Sequence, residues 1–293
     1  MTYIYVLSLR NDNLFFQMTV ISATLLRKSH PSDNIVIAVD EHTDLQQYPV
    51  EYNLLLKLDV EIVVVETGYL ECVLSSRFIK LSLTAIINDD FWYLDSDTLP
   101  LPRVDIPGFI GDIGLVRDLN ANEAGYVLGE NRVANCRVMK WPIPKYPYYN
   151  SGVIFAKNNM RVKNVFDYAK TLWLAACEEG ERCGDQLPLN IALQQDSDAR
   201  IITLDDSYNA QIRAAPKLAP TAKIIHIFSG SIKKHNDTVL HTMIASLQQD
   251  SVLRVDIIDK LLRTGNPWVK GTRQARLFPV HKILSRMAHI FGY

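Results

Sequence analysis

The sequence predicts an α/β fold: a mostly parallel central sheet with helices on both faces, followed by a helical, basic C-terminal extension. Three features point to it. Short runs rich in Val, Ile and Tyr alternate with helix-period segments over residues 3–95. Phe91-Trp92-Tyr93-Leu94 is apolar at successive positions, as a strand buried on both faces must be. That run ends in Asp95-Ser96-Asp97, which sets two carboxylates beyond the carboxyl end of a strand, where parallel sheets bind their ligands.

Residues 3–9 form the first apolar run, ending in polar Ser8, Arg10, Asn11 and Asp12. From Leu14 to Lys28 the apolar residues Phe15, Met18, Val20, Ile21, Leu25 and Leu26 recur at helical spacing, and Pro31 stops the helix. Ile35–Val39 reads as the second strand, 52–57 as a short helix and Val60–Val65 as the third strand. A helix over 75–87 carries Arg77 and Lys80 up to the Phe91 strand. Such alternation implies right-handed crossovers. Beyond Thr98, prolines at 100, 102 and 107 give an extended stretch, followed by a strand at Ile113–Val116. Residues 119–148 read as a long loop in which Trp141, Tyr146 and Tyr148 alternate with prolines, either to stack on a sugar or to pack as a flap. The run 148–155 joins a polar turn to a strand, a helix spans about 162–177, and Gly184-Asp185-Gln186 opens another. Strands at 200–204 and 223–228 follow, and then helices at 239–247, 252–262 and 280–291.

At 293 residues and 48% hydrophobic content, the chain can bury a full core, divided here into a domain over 1–237 and an extension over 238–293. A net charge of −1 offers no global field for nucleic acid. Cys72, Cys136, Cys177 and Cys183 form no CxxC pair and read as reduced thiols. With no leader-like start and no membrane-length apolar run, the expectation is a cytoplasmic protein. From 260 onward there are seven basic residues, no acidic ones, and apolar residues between them. This segment could lie on the inner face of an anionic membrane or pack on its own domain.

The chemistry-bearing residues are scattered. Asp95 and Asp97 repel each other unless a cation lies between them, though an Asp-rich turn also explains such a pair. The first strand is followed by neither Gly-x-Gly-x-x-Gly nor a Walker loop, so phosphate charge must be met by metal and by scattered Lys and Arg. Asn150-Ser151-Gly152 suits a hydroxyl-rich ligand. Asp185, at a helix start, reads first as a cap. His226, Gly230 and Lys233 follow a late strand, where an imidazole and an ammonium could serve a metal and a phosphate.

In this order, DSD at 95–97 after Arg77 and Lys80, NSG at 150–152, Asp185-Gln186 with Asn190, and His226-x-x-Gly230-x-x-Lys233 resemble a glycosyltransferase of the GT-A (Rossmann-like) fold. The likeness spans about 3–235 and is strongest to family 8, the glycogenin and lipopolysaccharide galactosyl- and glucosyltransferase group. It implies a Mn²⁺ or Mg²⁺ ion held by Asp95, Asp97 and His226, and a nucleotide-diphosphate sugar donor, UDP-sugar favoured. Lys233 and Gly230 would meet the phosphates, and Lys80 and Arg77 the diphosphate or sugar. Ser96, Ser151 and Gly152 belong to the same donor site; Asn150 and Asp185 would bind sugar hydroxyls, with Gln186 near the reacting carbon. Ser8 and Asn11 match the nucleoside region, where Phe15 or Phe16 replaces the family's stacking Tyr. The acceptor would be a glycan, glycolipid or protein, and the reaction a transfer with retention. The alternatives are an inverting transferase, a haloacid-dehalogenase-type phosphatase using Asp95 and Asp97, a sugar nucleotidyltransferase, and a non-catalytic binding protein.

Overall fold

The computed structural model describes residues 1–102, 111–119, 130–145, 147–181, 184–195, 198–212, 215–227, 239–250, 253–254 and 256–257. The main sheet holds β1 (Thr2–Leu7), β2 (Asn34–Asp40), β3 (Glu61–Val65), β4 (Phe91–Leu94), β6 (Ile113–Arg117), β7 (Tyr149–Ala156) and β8 (Ile201–Thr203), in the order β3-β2-β1-β4-β7-β6-β8. β7 runs antiparallel to both β4 and β6, and the other adjacent pairs are parallel. Helices α1 (Leu14–Ser29) and α2 (Pro49–Leu56) cover one face. On the other lie α3 (Cys72–Leu81), α4 (Leu83–Ile86), α6 (Met160–Glu178) and α7 (Gln186–Gln194).

Strand alternation divides the core. Tyr3, Tyr5 and Leu7 of β1, with Trp92 and Leu94 of β4, pack with Phe16 and Val20 of α1. Ile4 and Val6, with Phe91 and Tyr93, face Ile79, Phe166 and Trp173. Tyr93 therefore shares a face with Asp95, two residues on.

A second sheet brings the last site residue to the first. β10 (Ile224–His226) pairs antiparallel with β5 (Thr98–Pro100) and parallel with β9 (Ala210–Gln211). Leu99 and Ile225 of this sheet pack on Met18 and Ile21 of α1. Because His226 is in register with Thr98, and the Ile227 amide donates to the Asp97 carbonyl at 3.1 Å, the imidazole lies beside the two carboxylates.

Three elements differ from the sequence reading. The helix expected over 75–87 is two, broken at Ser82. The stretch read as a loop over 119–148 contains α5 (Glu130–Val138). Few of its residues are apolar, and Val133 and Cys136, which pack with Tyr148 and Leu172, make too thin a stripe to give a period. The strand expected at 223–228 is β10, but it pairs with β5 and β9 in a separate small sheet, and those two strands of three and two residues show no alternation in the sequence. After it, α8 (Val239–Asp250) packs Met243 and Ile244 against α1, joined by Leu253 and Ile257. The helix expected over 280–291 and most of that over 252–262 lie outside the described residues. Among the described residues no helix is long and apolar enough to cross a membrane.

Candidate metal and donor site

Asp95 and Asp97 follow β4 in a tight turn, where the Thr98 amide donates to the Asp95 carbonyl at 3.1 Å and the Thr98 hydroxyl at 2.7 Å. His226 Nε2 lies 3.2 Å from Asp97 Oδ1 and 3.9 Å from Asp95 Oδ2. One ligand atom from each of the three residues lies within 4.8 Å of the others. Two carboxylate oxygens and an imidazole nitrogen at this separation fit a divalent cation. Gly152 supports the fit: a Cβ there would overlap His226 Cε1 and come within 2.7 Å of Asp95 Oδ2. Without a cation, burial disfavours the His226 imidazolium, but Asp97 and Asp95 outweigh it and raise its pKa above the ordinary value.

Asp95 divides its oxygens between two tasks. Oδ1 accepts from the Tyr93 hydroxyl and, at 3.2 Å, from Lys80 Nζ, while Oδ2 faces His226. Lys80 also reaches Ser151 Oγ at 3.2 Å and Asp185 Oδ2 at 2.9 Å, and it lies over the Tyr93 ring. Its three hydrogens thus have three acceptors although the side chain is only 8% exposed. Burial works against both charges of the Lys80–Asp185 pair, yet their mutual attraction prevails: the lysine pKa is raised and the Asp185 pKa lowered. Asp185 stands at the N-terminus of α7 without a side-chain capping bond, since its carboxylate is turned to Lys80 and Ser151. Gln186 beside it donates Nε2 to Asp118 Oδ2 at 2.8 Å and accepts the Ser151 amide at 3.3 Å.

These groups border a cleft of about 500 Å³, lined also by Leu7, Ser8, Phe15 and Arg77. Of the two candidate stacking rings, Phe15 lines the cleft and Phe16 is buried in the core. Ser8 donates its hydroxyl to Asp40, which also takes Arg10 Nη1 at 3.1 Å, whereas Asn11 is exposed and does not line the cleft. Ser96 lines the cleft with its hydroxyl 2.9 Å from that of Thr19. Asn150 turns its carbonyl oxygen to the Gly152 amide, 2.9 Å, and to Asn209 Nδ2, 2.8 Å. Gly230, Lys233 and Tyr146 lie outside the described residues. Tyr148 is fully buried and Trp141 packs beside it against α6 and α7, so these two belong to a packed flap.

Three residues of the site were not singled out in the sequence. Tyr93 had a signal, its period-2 spacing from Asp95, and Asp118 had one in closing the strand Ile113–Arg117. Asn209, in a 3-10 turn over Asp206–Asn209, had none.

No family model and no curated protein matches the chain. Solved structures do. The galactosyltransferase LgtC, in complex with donor and acceptor sugar analogues, superposes with a TM-score of 0.50 at 17% identity, over 71% of this chain and 75% of its own. WbbM, a bifunctional glycosyltransferase, gives 0.55 at 13% identity over 97% of this chain and 52% of its own. The glycosyltransferase GlyE of Streptococcus pneumoniae gives 0.51 at 16%, over 89% and 62%. The chain thus has the GT-A fold.

Proposed function

We propose that this chain is a metal-dependent glycosyltransferase that moves a sugar from a nucleotide-diphosphate sugar, UDP-sugar favoured, to a glycan, glycolipid or protein, with retention of configuration. The observation that carries the proposal is one cleft that combines the Asp95–Asp97–His226 cluster with the buried Lys80–Asp185 pair. Asp95 Oδ2, Asp97 and His226 would hold Mn²⁺ or Mg²⁺, which when bound neutralises diphosphate charge. Lys80 and Arg77 add positive charge beside it, and Lys233, with Gly230, would do so on the phosphate side by resemblance. Asp185 keeps its carboxylate ionised and offers it to sugar hydroxyls, with Asn150 and Ser151 nearby. Gln186, pinned by Asp118, would set its amide against the oxocarbenium-like carbon. Ser8, Asn11 and Phe15 are proposed for the nucleoside, and Ser96 and Gly152 for the donor site. The domain boundary near 237 and a cytoplasmic location at a membrane face, through 260–293, are proposed on sequence pattern.

The phosphatase alternative is disfavoured by Asp95 itself, whose Oδ1 is taken by Lys80 and Tyr93 and whose strand is the fourth of the fold. The test is a panel of nucleotide sugars incubated with Mn²⁺ or Mg²⁺, reading release of nucleoside diphosphate. Metal-dependent release from one donor is expected. Phosphate release from phosphomonoesters, with every nucleotide sugar left intact, would overturn the reading.

A further inference from the structure

We propose that Arg10 is a positioning residue that brackets the two walls of the donor cleft, so that the nucleoside half of the donor meets a preformed slot. The inference rests on the donor reading above and extends it to a residue outside the cleft lining. The walls come from opposite faces of the sheet. Phe15, in the first turn of α1, lines the cleft from one face, and Cys72, Val73, Ser76 and Arg77 of α3 line it from the other. Arg10 lies between β1 and α1, and its own carbonyl accepts the Tyr48 hydroxyl at 3.2 Å. Its guanidinium serves both sides. Nη1 turns to the strand ends, 2.6 Å from the Leu9 carbonyl and 3.1 and 3.2 Å from the two oxygens of Asp40, which is fully buried. Nε and Nη2 turn to the loop before α3, 3.0 Å from the Leu70 carbonyl and 3.4 Å from that of Tyr69. One planar fork thus joins the strand ends to the loop that delivers α3.

The near end of that loop is fastened as well. Glu41, next to Asp40, accepts the Thr67 amide at 2.9 Å and the Gly68 amide at 2.8 Å, where the chain turns with a Gly68 φ of +72°. The Ser75 hydroxyl of α3 donates to the same Tyr69 carbonyl at 3.0 Å. The Tyr69 ring packs on Trp173, but Leu70, which leads into α3, is 77% exposed, and the bond from Arg10 Nε holds its carbonyl. A Lys at this position would keep the charge yet reach one side only, because an ammonium is a point and not a fork. A wall fixed beforehand spares the ligand the cost of ordering it.

The experiment uses the full chain as wild type, Arg10→Ala and Arg10→Lys, with two probes in saturating Mn²⁺. UDP carries a nucleoside as well as the diphosphate, whereas inorganic pyrophosphate carries only the part proposed for the metal. Calorimetry reads both affinities, and hydrogen exchange reads the amides of residues 67–70. Both variants should bind UDP about 10-fold more weakly, leave pyrophosphate affinity unchanged and exchange faster over 67–70. Wild-type UDP affinity in Arg10→Lys would mean that charge alone matters, and would overturn the inference. So would an equal fall for both probes, which places the effect at the diphosphate or in the fold as a whole. A wild type that binds neither probe would instead count against the donor reading, while the exchange rates still decide whether Arg10 holds the loop.

Discussion

Single atoms decide the character of this site. Asp95 commits one oxygen to Tyr93 and Lys80 and keeps the other for the cluster, and Gly152 leaves the His226 ring room that a methyl group would fill. Gly152→Ala should consequently weaken Mn²⁺ binding by at least about 10-fold while the protein still melts cooperatively, as read by titration calorimetry and circular dichroism. Away from the cluster, Asp40 and Asp112 contribute to the response to acid, as Glu41 and Asp205 do. Burial would raise both carboxyls, but Ser8, Arg10 and Thr43 hold Asp40 below its ordinary pKa, and Arg200, Asn159 and Arg161 do so for Asp112. Folded values below the unfolded one, about 4, give a contribution present above that pH and lost as pH falls through the folded values. Urea midpoints should therefore fall on acidification below pH about 4, and less steeply in Asp112→Asn; an unchanged slope would contradict this. Part of the site was legible, since Asp95 and Asp97 placed at the end of a strand need only the alternation to be seen. Their partners were less so. The pairing of Asp185 with Lys80 replaces the capping role its position suggests, because a charged ammonium is a stronger partner than a helix amide and Pro188, the third residue of the helix, has no amide hydrogen to offer.

At the scale of elements, the site is a junction between β4, β7, α7 and the small sheet. Asn190 of α7 takes the Tyr149 amide at 2.7 Å and donates to the Tyr149 carbonyl at 2.9 Å and the Gln186 carbonyl at 2.8 Å, with its side chain fully buried. It ties the start of α7, with Asp185 and Gln186, to the NSG strand. Asn190→Ala leaves buried backbone groups of Tyr149 unpaired and should cost about 2 kcal/mol or more in chemical denaturation. A loss within error would mean that the clamp is dispensable. The first four strands could be read because each has at least four residues and an apolar pattern. Of the small sheet only β10 was read, within the strand at 223–228; β5 and β9 are too short to show a period, and the pairing of the three is set by one another and by α1. The register that brings His226 to Asp97 is therefore a tertiary fact.

For the whole molecule, α8 with Leu253 and Ile257 packs against α1 and the small sheet, so Met243, Ile244, Leu253 and Ile257 belong to the core packing. The basic residues beyond 260 lie outside the described residues. Truncation after 257 should lower sedimentation with anionic phosphatidylserine vesicles while leaving the melting temperature near that of the full chain. A large fall in melting temperature without change in vesicle binding would assign the tail to the domain instead. The fold class was legible from the alternation, and the GT-A likeness from four motifs in order; the contact of Asp118 with Gln186 was not, because the two lie 68 residues apart along the chain.

In the proposed function, Asp95, Asp97 and His226 join a cation to the diphosphate of the donor. Calorimetric titration of UDP into wild type and Asp97→Ala, each with and without Mn²⁺, tests it most directly. Binding that requires Mn²⁺ in wild type and disappears in Asp97→Ala is the expected result; UDP binding of equal strength in all four titrations would contradict the claim.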